Sequence, residues 1–194
     1  MEHKGNGVED ACAWNNHWEV LKEAASLFGD KNTFCQLIAG LGESERQLLE
    51  AIQVALDIGA RTSLFPFYAD SGSLMDGAEE CAAGQYRRMQ LAGFLIESNM
   101  SGTGDMDFDE KDRVVSFGLK GEVLENIVDS GIPFRINSNI GFRPCARIWQ
   151  PESGREGGGE PPEDHSAKLK NSILNIRKQL ATYRETNITA RREI

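Results

Sequence analysis

The sequence predicts an α/β fold with parallel strands, on three observations. Apolar residues recur at helical spacing in segments that alternate with strand-like runs. The run TSLFPF at 62–67 is apolar throughout rather than alternating, which suits a parallel strand buried on both faces. Helix, strand, helix and strand then follow one another over residues 15–67 with short connections, the grammar of α/β folds.

Each element has its own warrant. Asn15 or Asn16 is a candidate cap for a first helix, in which Trp18, Leu21, Ala25 and Phe28 share one face until Gly29 ends it. A strand is expected at about 32–39. It ends in the corner GLGES, after which Leu48, Leu49, Ile52, Ala55 and Leu56 form the buried stripe of a second helix, with Gly59 at its C-terminal end. The strand at 62–67 leads into the turn-rich ADSGSLMDG and then a helix at about 82–99, whose Tyr86, Met89, Phe94 and Leu95 face a core. A short strand at 113–117, a helix at 120–130 stopped by Gly131 and an extended GIPFRINSN complete this part.

The last stretch is of another kind. PESGREGGGEPPEDH, at 151–165, has four glycines, three prolines and no large apolar residue, the composition of a flexible linker. Beyond it Leu169, Ile173, Ile176, Leu180 and Tyr183 alternate spacings of four and three. That is the seam of a short coiled coil, or the inner stripe of a terminal helix packed on its own domain. The linker predicts a tail that contributes little to folding. The divisions expected are a flexible N-terminus at 1–14, an α/β region at 15–100, an irregular extension at 101–150, the linker at 151–165 and a terminal helix at 166–194.

Composition narrows the function. The chain has 194 residues, 40% of them hydrophobic, enough for one domain with a sizeable core or part of a larger one. A net charge of −9 argues against broad nucleic-acid binding, which needs a dominant basic surface. No apolar run approaches the roughly 20 residues that span a bilayer, and the start lacks the apolar core of a signal peptide, so no membrane partner and a cytoplasmic location are expected. Cys12, Cys35, Cys81 and Cys145 are too scattered for the close pairs of a structural zinc site. The carboxylates at 105, 107, 109, 110 and 112 lack the glycine and glutamate that a calcium loop needs, and read as a solvated loop.

The corner GLGES is the most informative stretch. Gly40 and Gly42 have no side chain to hold a flat ligand away from the backbone, and the helix that follows has free amides at its start. Glu43 would repel a phosphate there, and the lysine of a P-loop is missing, so a ligand with hydroxyls or a cation suits the place better. Glu43 serves such a ligand or caps the next helix.

The run QLIAGLGE at 36–43 resembles the radical S-adenosylmethionine pattern G-x-I-x-G-x-x-E, matching at Ile38, Gly40 and Glu43, with Gln36 in place of the first glycine. The order HWEVLKEAASLFG, FCQLIAGLGES, LLEAIQVALDIGA, SLFPFYADSGSLM is similar to the second half of the barrel in biotin synthase-like members of that family. QYRRMQLAGFLIES and FGLKGEVLENIVDSGIPFR look like their C-terminal extension.

This resemblance, over about 18–135, implies a partial parallel β/α barrel that supports S-adenosylmethionine. Ile38 and Gly40 would floor the adenine, Glu43 would bond the adenosyl group, Phe65 would stack and Arg135 would pair with a substrate carboxylate. Some relatives carry a cysteine pair after GIPFR, where this chain has INSNIGFRPCAR with the single Cys145. The family's [4Fe-4S] cluster sits on a C-x-x-x-C-x-x-C loop that this chain lacks. The resemblance therefore implies a partner, an N-terminal half-barrel polypeptide carrying the cluster, and a chain inactive alone. The alternative is a non-catalytic α/β interaction module that docks, or forms a homodimer, through its terminal helix.

Overall fold

The structure, a computed structural model, describes residues 14–134 and the helix at 165–181, with the side chains of that helix described from residue 171 onward. It is mixed α/β, with five α-helices and a small parallel sheet among the described residues. In chain order these are α1 (Trp14–Phe28), β1 (Thr33–Ala39), α2 (Glu45–Asp57), β2 (Ala60–Pro66), α3 (Ala83–Glu97), the short strands β3 (Asp107–Phe108) and β4 (Val114–Ser116), α4 (Gly121–Ser130) and α5 (His165–Ala181).

β1 and β2 pair in parallel with Leu37 opposite Leu64 and Ile38 opposite Phe65, and α2 makes the crossover. Their two faces differ. Leu37 and Ala39 are buried in the main core with Leu49 and Ile52 of α2 and Met89, Leu95 and Ile96 of α3. On the other face Phe34, Gln36 and Ile38 of β1 and Phe65 of β2 are exposed. Parallel sheets ordinarily have both faces covered, so this one is half clothed by the described residues.

The outer edge of β2 is closed by side chains of α3. The Thr62 amide and hydroxyl both donate to Glu97 Oε1, at 3.0 and 2.7 Å, and the Tyr86 hydroxyl donates to the Leu64 carbonyl at 2.9 Å. These groups point away from β1, toward where a further strand would lie. Side-chain pairing satisfies them and blunts an edge that would otherwise recruit other chains.

Four expectations are corrected. α1 already runs at Trp14, so Asn15 and Asn16 lie inside it rather than capping it, and the Trp14 and Trp18 rings meet edge-on at 5.4 Å. GIPF is not extended: Gly131 takes a left-handed φ of 66° at the end of α4, and Ile132–Phe134 makes a 3₁₀ turn that buries Pro133 and Phe134. The acidic segment is less irregular than expected: the strand expected at 113–117 is β4, it pairs with the two-residue β3, and Asp109, Glu110 and Asp112 lie in the turn between them.

The fourth correction concerns the tail. Ile173 and Ile176 of α5 are buried with Leu91 of α3, Val128 of α4 and Phe134, and Leu180 packs beside them. Arg177 reaches Glu125 and Asp129 of α4 through exposed ion pairs. The seam is therefore used within the chain, and α5 is part of the folded body rather than a dispensable tail. The linker composition that suggested otherwise lies at 151–164, outside the described residues.

Candidate functional site

The C-terminal ends of β1 and β2 are where α/β folds place their ligands, because the strand ends and the following loops converge there. Ile38 and Phe65 are cross-strand partners at this end, on the uncovered face, at 47% and 39% exposure. They make a small apolar platform beside the corner. Gly40 and Gly42 turn the chain with φ of 97° and 103°, a region that favours glycine.

The corner is more fully occupied than its sequence suggests. The Glu43 carboxylate accepts the Gly40 amide at 2.6 Å and the Leu41 amide at 2.9 Å, folding back onto the loop that precedes it. The next helix is capped by Ser44 instead, whose hydroxyl accepts the Gln47 amide while Gln47 returns the bond to the Ser44 amide. The space over Gly40 is filled too. A Cβ added there would meet Cys81 Cβ at 2.7 Å and Cys81 Cα at 3.0 Å, so glycine is required by the loop at residue 81.

Beneath the corner lies a buried ion pair. Arg88 of α3 donates to Glu45 of α2 through Nη2 at 2.7 Å and Nε at 3.1 Å, and the Val114 amide of β4 donates to the other carboxylate oxygen at 2.9 Å. One buried carboxylate thus ties two helices to the hairpin. Arg46 adds a second tie, pairing with Asp112 at 2.8 Å with its guanidinium 4.2 Å from the Phe108 ring. Asp109 is spent in the same way, accepting the amides of Lys111 and Arg113 and the Arg113 side chain.

Both described cysteines are shifted away from the thiolate. Burial pushes the Cys81 thiol up to about 12, the Glu43 and Glu45 carboxylates push the same way and Arg88 opposes. Burial also raises Cys35. Both remain protonated near neutrality, poor nucleophiles and poor metal ligands. Among the described residues no cluster of histidine, cysteine and carboxylates is arranged to hold a metal ion.

Of the residues singled out in the sequence, Ile38, Gly40 and Phe65 come together at one end of the sheet. Glu43 lies beside them but turns to its own loop. Arg135 lies outside the described residues, as do Cys12 and Cys145. Sequence reasoning missed Cys81 as the neighbour of Gly40, Arg88 as the partner of Glu45, and Tyr86 and Glu97 as the edge of β2. These pairings span 22 to 43 residues and leave no local pattern.

A comparison with known protein families, with curated proteins and with solved structures finds no match. No helix among the described residues is long and apolar enough to cross a membrane.

Proposed function

We propose that this chain is the C-terminal part of a biotin synthase-like radical S-adenosylmethionine protein. In this reading it is half of a partial parallel β/α barrel, cytoplasmic, supporting cofactor and substrate, and completed by an N-terminal half-barrel polypeptide. The observation that carries the reading is the pairing of Ile38 with Phe65 on an uncovered sheet face, at the strand ends where the family motif falls. An apolar platform suits a nucleobase, and an uncovered parallel face suits a missing half.

The residues described do not fit a [4Fe-4S] cluster, since Cys35 and Cys81 are held protonated and apart from other ligands. In this reading a cluster would be held by the proposed partner polypeptide. This chain contributes an apolar floor for the adenine at Ile38 and Phe65.

Anaerobic reconstitution of the chain alone is expected to give no stable cluster and no 5′-deoxyadenosine. Co-expression with a polypeptide bearing the first strands and the cysteine loop restores cleavage, and Ile38→Asp then suppresses it by tenfold or more. Ile38 is the better probe than Gly40, because a side chain at Gly40 strikes Cys81 and disturbs the fold. Cofactor cleavage by the chain alone, or normal cleavage by a folded Ile38→Asp complex, overturns the proposal.

A second reading, the interaction module, is favoured by the corner itself. Glu43 takes the Gly40 and Leu41 amides and Cys81 fills the space above Gly40, an arrangement that needs no cofactor to be complete. With the α5 stripe packed inward, docking would fall to the exposed sheet face. This reading predicts that no co-expressed polypeptide restores cofactor cleavage.

A further inference from the structure

A cavity of about 300 Å³ lies between β2 and α3. Ile52 of α2, Gly93 of α3 and Pro66 of β2 are among its lining residues. Four aromatic side chains line it, Phe65, Tyr68, Tyr86 and Phe94. At this volume it holds one small ring system, since a cavity of half the size accepts benzene.

The polar groups in it are not equivalent. The Tyr86 hydroxyl is committed to the Leu64 carbonyl and Gln90 accepts from Arg87. Glu97 differs: both of its bonds from Thr62 end on Oε1, and Oε2 makes no hydrogen bond or ion pair among the described residues. Glu97 is partly buried, and this oxygen is open to a donor from a ligand or from water. Ring faces and a carboxylate both attract positive charge, and the chain's net charge of −9 draws cations toward it.

We propose that this cavity is a binding site for a small organic cation with an aromatic body, the ring lying among the aromatic walls and a protonated amine reaching Glu97 Oε2. A neutral ligand of the same shape would satisfy the walls but bring no positive charge to the carboxylate. An anion would be repelled by it. The cavity shares Phe65 with the strand-end platform, while Glu97, Tyr86 and Phe94 lie outside that platform.

The probe is phenethylamine, with 2-phenylethanol as its neutral counterpart, titrated into the full chain and followed by amide chemical shifts. Phenethylamine is expected to shift the Gly93 and Phe94 amides and to bind at least tenfold more tightly than the alcohol. Glu97→Gln, whose amide oxygen can still accept from Thr62, abolishes that preference while leaving the alcohol's affinity unchanged. Gly93→Val blocks both ligands, its Cβ starting 3.3 Å from Ile52 Cδ1. The wild-type shifts locate the site even where that variant misfolds. No shift at Gly93 or Phe94 at millimolar phenethylamine, or equal affinity for the two probes, overturns the proposal.

Discussion

Helices α1 and α3 have 15 residues each, yet α3 buries nine of them and α1 buries Ala25 alone. Their patterns explain the difference. α3 is apolar or neutralised around most of its circumference: Met89, Ala92, Leu95 and Ile96 enter the main core, Leu91 enters the core under α5, and Arg88 is paired with Glu45. α1 carries Trp14, Val20, Leu27 and Phe28 outward, and these are more than half exposed. One helix organises the fold, while the other presents an apolar surface next to an uncovered sheet face. The buried core and the uncovered face are thus attended by different helices.

The largest effect that separates the two sides is expected at the buried ion pair. Arg88→Met leaves Glu45 as an unpaired buried charge and costs about 3–5 kcal/mol in chemical denaturation. Pairing it with Glu45→Leu returns most of that loss, because what is costly is the orphaned charge. If the double variant is no more stable than the single one, the carboxylate is held by other groups.

Next in size is the α5 contact. Ile176, 1% exposed, is expected to cost about 2–5 kcal/mol when replaced by alanine. Ending the chain at residue 164 should lower the thermal midpoint by roughly 10 °C, as for a loss of a few kcal/mol in a domain of this size. An unchanged midpoint would return α5 to the status of a tail. At the edge of β2, Glu97→Ala removes a charged acceptor from two donors of Thr62 and is expected to cost about 1.5–3 kcal/mol.

Alkaline titration gives a smaller effect of known sign. The folded Cys81 thiol titrates near 12 against 9.0 when free, so its contribution to stability is complete below pH 9 and is lost as pH rises from 9 toward 12. Cys35 shifts in the same direction through burial. The denaturation midpoint should therefore fall between pH 8 and pH 10, less steeply in Cys81→Ser, and a flat profile would contradict the burial of the thiol. Smallest of all, Val20→Ser and Leu27→Ser on α1 should change stability by less than about 0.5 kcal/mol. A loss of 2 kcal/mol from either would show that α1 is covered.

What the sequence disclosed follows the range of the interactions. The α2 stripe of Leu48, Leu49 and Ile52, the glycine stop at Gly131 and the parallel strands were legible, because helical spacing, chain ends and apolar runs are local patterns. The strand-end platform was half legible: Ile38 and Phe65 stood out one at a time, and only the register made them neighbours. Of the two roles offered for Glu43, ligand contact or helix cap, the cap falls to Ser44, one residue on. Of the two uses offered for the tail's stripe, the helix packed on its own domain is the one found, and the expectation of a dispensable tail fails because a linker's composition says nothing about the affinity of the helix it carries. Its stripe fits α3 and α4, which lie more than 40 residues earlier in the chain.

The two-sided account is tested most directly by amide hydrogen exchange, measured residue by residue on the chain alone and on the complex with a co-expressed half-barrel polypeptide. In the chain alone, the α3 amides should exchange slowest, near the rate set by global unfolding, and the α1 amides should exchange orders of magnitude faster. Complex formation should slow exchange in α1 and β1 and leave α3 unchanged. If α1 in the chain alone is as protected as α3, or if protection on complex formation falls on α3 and α5 instead, the uncovered face is not where the proposed half-barrel would dock.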